Sequence, residues 1–175
     1  MTPFLQRLWA PWRQGYISAA RKGEKSDSRI CIFCQKPQSK AGVRNLVLAK
    51  GQMAFLLLNR YPYSNGHLMV APYRHVDSLE KVTQEEWLDL GRLVNNGIAR
   101  LKRVMKPDGF NLGMNLGRVS GAGIPGHLHL HIVPRWNGDT NFMPVLSDTK
   151  VISQSLEATY RLLHQAGRHA HKKTS

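Results

Sequence analysis

Residues 126–135 read GHLHLHIVPR, so His127, His129 and His131 alternate strictly with Leu128, Leu130 and Ile132. In an extended strand successive side chains leave opposite faces, which stacks the three imidazoles on one side and the aliphatics on the other. Imidazole is the side chain whose ordinary pKa lies nearest neutrality, so such a row can offer a nucleophile, a proton donor or metal ligands near pH 7. A helix would scatter these residues around its axis. Ile132 and Val133 followed by Pro134 favour a strand that stops at the proline. Just upstream, GRVSGAGIPG carries Gly117, Gly121, Gly123 and Gly126, whose backbone N–H groups can approach a polyanion, with Arg118 and Ser120 as further donors. A glycine-rich connection alone is an ordinary turn. Its place before the histidines makes it a candidate phosphate cradle.

The stretch CIFC holds the chain's two cysteines, Cys31 and Cys34. In a cytosolic protein this spacing suggests a metal pair or a redox motif, not a structural disulfide. No thioredoxin-like βαβ pattern surrounds it, which weakens the redox reading, and a zinc site would need two further ligands.

These residues must be positioned by the elements around them. NLVLAKGQMAFLLLN (45–59) reads as two strands joined at Lys50-Gly51, and the Tyr61, Pro62 and Ser64-Asn65-Gly66 turn leads into a third, HLMVAP (67–72). A long helix follows from Thr83, where Thr83 and Glu86 form a capping-box pattern and Trp87, Leu90, Val94, Leu101 and Met105 recur at helical spacing. Pro107-Asp108-Gly109 ends it. FNLGMNLG (110–117) alternates Phe110, Leu112, Met114 and Leu116 with polar or small residues, the pattern of a half-buried strand. A C-terminal helix is expected from about Ser153 to about Gln165, with Leu156, Tyr160 and Leu163 on one face. The order implies an α+β domain: an antiparallel sheet with a long crossing helix and a C-terminal helix on one face, and the histidines on the other.

At 175 residues and 42% hydrophobic content one core is expected. It is assigned to residues 31–165. An aromatic-rich N-terminal arm, LWAPWRQGYI within residues 1–30, is broken by Pro11, and residues 166–175 read as a solvated basic tail. The formal net charge of +14 favours anionic partners. No apolar run reaches the roughly 18 residues of a membrane span and the N-terminus lacks an apolar signal core, so a cytoplasmic location without membrane partners is expected. Single-strand binders use repeated aromatic-and-basic platforms, and the lack of one argues against a nucleic-acid partner.

HLHLHIV resembles the H-x-H-x-H-hydrophobic-hydrophobic signature of the histidine-triad (HIT) superfamily of nucleotide hydrolases and transferases. The resemblance runs through residues 31–140 and includes LLLNRYPYSNGHLMVAPYRHV. LWAPWR, CIFC and PRWNGDTNFMPV further resemble the bacterial branch containing diadenosine tetraphosphate phosphorylases and related hydrolases. The resemblance implies a HIT-like fold and a purine nucleotide substrate. His129 would attack the α-phosphorus to form a nucleotidyl-histidine, and His131 would hold a proton and stabilise phosphoryl or leaving-group oxygen. By matched position Asn59 would contact the ribose hydroxyls, Asn115 the phosphates, and Ile32 and Phe33 the base, although these last two also read as ordinary core. In zinc-bearing members the positions matching Cys31, Cys34, His75 and His127 hold the metal, a structural Zn2+ site with no open position. His67 is expected to be structural.

The leading expectation is an enzyme cleaving diadenosine polyphosphates by phosphorolysis or hydrolysis. The alternatives are an adenosine phosphoramidase of the same superfamily, or a non-catalytic basic module whose affinity would fall steeply with salt. Superfamily uridylyltransferases commonly carry glutamine at the position of His131, which disfavours that activity. The resemblance and the aromatic arm suggest a homo-oligomer, a dimer being the simplest closed form.

Overall fold

A single helical turn, α1 (Ile32–Gln35), carries Cys34 and buries Phe33, with Cys31 at its N-cap. Beyond it the sheet begins with β1 (Val47–Lys50), which turns at Gly51 into antiparallel β2 (Ala54–Leu58). Strand β3 (Leu68–Pro72) pairs with β2 in regular register, from Ala54 opposite Pro72 to Leu58 opposite Leu68. Every residue of β2 and β3 is buried, as their uninterrupted apolar sequences require of strands covered on both faces. This computed structural model describes residues 31–38, 42–139 and 151–171, with backbone alone for 169–171. The expected N-terminal arm (1–30) and the last tail residues (172–175) lie outside the described residues.

The long helix α2 (Gln84–Met105) starts at the expected capping box. Thr83 Oγ1 accepts the Glu86 N–H at 3.3 Å, and a Glu86 carboxylate oxygen accepts the Thr83 N–H at 2.9 Å. Its stripe of Leu90, Leu93, Val94 and Leu101 lies on the sheet. A Cβ on Gly97 would stand 3.1–3.2 Å from Ile132, Leu56 and Leu68, so glycine there lets the helix approach the strands closely. Lys106, in the left-handed region at φ 47°, terminates the helix before Pro107.

Strands β4 (Gly109–Met114) and β5 (Leu130–Arg135) complete an antiparallel sheet of order β1-β2-β3-β5-β4. Helices α2 and α3 (Leu156–His171) cover one face, while Phe33, Val47, Phe55, Leu57, Met69 and Ala71 form a second cluster on the other. Tyr160 of α3 ties it to the sheet by donating to the Val47 carbonyl at 3.0 Å. Complete burial of Leu56 and Leu57 is worth roughly 1.5–3 kcal/mol each. No helix among the described residues is long and apolar enough to cross a membrane.

Three expectations need correction. The regular ladder of the histidine strand begins only at Leu130 and runs through Pro134 to Arg135. Proline is tolerated because pairing with β3 ends at Leu68 opposite Ile132, so no partner on that side asks for its missing N–H. In β4, Leu112 is 51% exposed, and Leu116 lies beyond the strand at 45% exposed: among the described residues β4 is an edge strand, and it is its Phe110 that packs against the helix-side core. The C-terminal helix starts at Leu156 and continues to His171, taking in residues read as basic tail. Ser155 Oγ accepts the Ala158 N–H at its start. Near its end, Arg100 and Arg103 of α2 donate to the carbonyls of Leu163 and Ala166, and Ala166 is buried.

Candidate active site

The pairing of Met69 with His131 puts that imidazole on the sheet face away from the helices, beside the second cluster. Upstream of the ladder the chain is held by Leu128, whose N–H donates to Val76 O at 2.6 Å. The loop carrying Val76 and His75 is itself anchored to the start of α2, where Arg74 forms a two-pronged ion pair with Glu86 at 2.9 and 2.7 Å. The imidazoles therefore keep their common face although only His131 lies in the ladder. The Phe33 ring stands 5.2 Å from that of His127 and 4.7 Å from that of His129, and the rings of His129 and His131 are 4.8 Å apart. All three are buried.

His129 Nδ1 lies 2.8 Å from the His127 carbonyl oxygen. A carbonyl only accepts, so Nδ1 carries the proton and Nε2 keeps its lone pair. Burial lowers the pKa of His129 below the ordinary imidazole value, and the backbone hydrogen bond opposes this. A neutral imidazole with a free Nε2 lone pair is a nucleophile.

The proton on His131 follows from a chain of contacts. The Tyr63 N–H donates to His67 Nδ1 at 3.1 Å, and a backbone amide can only donate. Asn59 Oδ1 accepts the Tyr61 N–H, which turns Asn59 Nδ2 toward the same His67 nitrogen at 3.2 Å. His67 in its neutral form therefore bears its proton on Nε2, which donates to His131 Nδ1 at 2.9 Å. His131 must then carry its own proton on Nε2. That atom is buried and has no partner among the described residues. Burial, reinforced by the neighbouring His129, pushes the His131 pKa down to about 4. The result is a neutral N–H donor beside the Nε2 lone pair of His129, an arrangement able to stabilise developing oxyanion charge.

His67 was expected to be only structural, yet it sets the polarity of this chain. Its side chain is fully buried and its ring packs 4.7 Å from that of Tyr63. The sequence signal was a histidine at the head of an otherwise apolar strand.

At the other end of the row four potential ligand atoms converge within 4.8 Å: Cys31 Sγ, Cys34 Sγ, His75 Nδ1 and His127 Nδ1. A tetrahedral zinc site with ordinary bond lengths has edges of about 3.5 Å between S and N and about 3.3 Å between two N atoms. The corresponding distances are 3.3 Å for Cys31–His127, 3.4 Å for Cys34–His75, 3.6 Å for Cys34–His127 and 3.2 Å for His75–His127. His127 Nε2 donates to the Pro72 carbonyl at 3.0 Å, leaving Nδ1 as a lone pair aimed into the cluster. Burial lowers the His127 pKa to about 4, and burial together with Cys31 raises that of Cys34. The donor set and its spacing fit a tetrahedral metal ion.

The other expected site residues are distributed around this row. Asn59 reaches it through His67, as above. Asn115 follows Met114, which pairs with Leu130, so the chain brings it to the level of His129. In the glycine loop Gly117 and Gly121 adopt φ 78° and 89°, and Gly123 is exposed. The Ser120 hydroxyl donates to the Gly117 carbonyl at 2.7 Å, leaving its oxygen as an acceptor. The expected base-contacting pair is divided: Ile32 is 41% exposed, whereas Phe33 is 1% exposed and lies against His127 and His129.

Comparison with known proteins matches the HIT domain family model to residues 42–138. The AP-4-A phosphorylase of Mycobacterium tuberculosis is 44% identical over 162 residues, covering 91% of this chain and 83% of that one. A bis(5'-nucleosyl)-tetraphosphatase [asymmetrical] of Schizosaccharomyces pombe is 31% identical over 58% of this chain and 55% of its own. Among solved structures, a Zn-bound histidine triad family protein from Mycobacterium smegmatis superposes with a TM-score of 0.64 at 25% identity, covering 83% of this chain and 99% of that one. With the family match spanning more than half of it, and a 44% identical relative aligned over most of its length, the chain belongs to the HIT domain family.

Proposed function

We propose that the protein cleaves diadenosine tetraphosphate by phosphorolysis through a nucleotide carried on His129. The observation that carries this reading is the hydrogen bond from His129 Nδ1–H to the His127 carbonyl, which leaves Nε2 as the nucleophile. Its lone pair forms a bond to the α-phosphorus as the bond to the bridging oxygen breaks, and ATP departs with that electron pair. The His127 carbonyl stabilises the positive imidazole ring that results, and His131 Nε2–H donates to phosphoryl or leaving oxygen. Inorganic phosphate then attacks the same phosphorus, the P–N bond breaks, and ADP leaves with Nε2 restored. Water in place of phosphate would give AMP. The relative from M. tuberculosis favours phosphate.

Around this step, Asn59 is assigned to the ribose and Asn115 with Ser120, Gly121 and Gly123 to the phosphates. Ile32, on the surface turn beside Phe33, is assigned to the base. Cys31, Cys34, His75 and His127 would hold Zn2+, in keeping with the cluster's edge lengths and the zinc-bound relative. The ion would supply a structural cross-link between α1 and the histidine row and leave no position for water. Two free cysteines at such spacing suit a reducing, cytoplasmic setting. Among the described residues β4 is an edge strand, with exposed Leu112 on it and exposed Leu116 just beyond it, which suits a homodimer.

Product analysis with pure protein and diadenosine tetraphosphate tests the reading. ADP plus ATP formed only with inorganic phosphate is expected. AMP plus ATP without it would replace the phosphorylase by a hydrolase, and no cleavage in either condition would overturn the substrate.

A further inference from the structure

A second basic recess lies on the helix-bearing side of the sheet, at its β1 edge. It is a cavity of about 230 Å³ walled in part by Lys50 of β1, Arg100 of α2 and His164, Gly167 and Arg168 of α3. Among the described residues no acidic side chain lines it. Arg100 is 7% exposed, and its guanidinium donates from Nε to Asn96 Oδ1 at 2.8 Å and from Nη1 to the Leu48 and Leu163 carbonyls at 3.1 and 3.3 Å. Among the described residues no carboxylate pairs with it and no group accepts from Nη2. Burying a guanidinium without a counter-charge is costly. Burial accordingly lowers its pKa, opposed in part by Tyr160.

The fold makes room for this group at a further cost. A Cβ on Gly167 would stand 2.2–2.4 Å from the Arg100 Cζ, Nη1 and Nη2 atoms, so a side chain there would displace the guanidinium from its present seat. Glycine inside a helix is less favourable than alanine. The buried guanidinium and the glycine that leaves room for it thus meet at one cavity, and an anion seated there would supply the missing counter-charge.

We propose that this recess is an anion site, separate from the histidine row, that takes a short chain of phosphates such as inorganic triphosphate. The Nη2 of Arg100 can donate to a phosphate oxygen, and Arg168 and Lys50, whose ammonium also donates to the Pro37 carbonyl, add charge at the rim. The volume is below the roughly 300–1,000 Å³ of pockets that enclose a drug-sized ligand, so the recess admits a phosphate chain and leaves a nucleoside outside.

The test is a heteronuclear NMR titration of the full chain at constant ionic strength, with inorganic triphosphate, ATP and sulfate as separate probes. It uses the wild type, the K50Q/R168Q double variant, whose two side chains are both exposed, and His129→Ala. Saturable shifts at Lys50, Gly167 and Arg168 with triphosphate are expected. The affinity at these residues should fall at least tenfold in the double variant and stay unchanged in His129→Ala. ATP reproducing those shifts makes the phosphate tail of a nucleotide the source, and ATP failing to do so makes it the free anion. Triphosphate shifts confined to residues 117–131, equal affinity for sulfate, or wild-type binding by the double variant would each overturn the proposal.

Discussion

At one end of the histidine row His127 turns Nδ1 toward two thiols and a second imidazole, while at the other His131 turns Nδ1 toward the N–H of His67. The first neighbourhood collects lone pairs and suits a cation. The second orients its N–H donors in one direction and leaves His131 with an Nε2–H able to donate to an oxygen anion. The same residue type, four positions apart on one face, thus acquires opposite roles, and only its neighbours differ. Backbone carbonyls make the choice at two of the three positions: Pro72 O holds Nε2 of His127, and His127 O holds Nδ1 of His129.

Four perturbations separate the two ends, beginning with the residue between them. His129→Ala should lower turnover by on the order of 10⁴-fold or more while the chain stays folded. Steady-state rates alongside a thermal melt check this, and near-normal turnover would remove the nucleophile. Cys34→Ser should act on stability first, lowering the melting midpoint by about 5–10 °C and abolishing bound zinc in metal analysis. An unchanged midpoint and metal content would show that the thiol pair holds nothing.

His67→Ala should reduce kcat by about 10- to 100-fold with KM little changed, because His131 loses the partner that fixes its proton on Nε2. Its zinc content should match the wild type. A pure stability defect with normal kcat would reduce His67 to packing. The smallest effect is a pH dependence. His131 has a pKa of about 4 in the folded protein, while the unfolded chain's imidazole titrates near 6.5. Between these values the unfolded state binds the extra proton. The contribution to stability is therefore full above about pH 6.5 and declines as pH falls toward 4. Urea midpoints at pH 7.5 and 5 should show this decline, and it should shrink in His131→Asn.

Much of this arrangement was legible before any coordinates. Period-two alternation put the histidines on one face, and Thr83 with Glu86 located the start of α2 because capping is local chemistry. The spacing of Cys31 and Cys34 suggested a metal pair or a redox motif, and the resemblance supplied His75 and His127 as partners that the fold brings within reach. The role of His67 was not legible. It depends on an interstrand register between residues 64 positions apart, which local pattern does not encode. Leu112 looked half-buried because alternation reports a face, not whether a helix reaches that face at the sheet edge. The length of α3 was hidden for a related reason: its last turns are held by Arg100 and Arg103 from another helix.

The central claim concerns one atom, Nε2 of His129. Rapid acid-free quenching during turnover of diadenosine tetraphosphate, followed by peptide mass mapping, tests it most directly. One adenylyl group is expected on the peptide containing His129, bound through nitrogen, labile to acid and absent from His129→Ala. An adenylyl group on another residue, or undiminished turnover in His129→Ala, would contradict it.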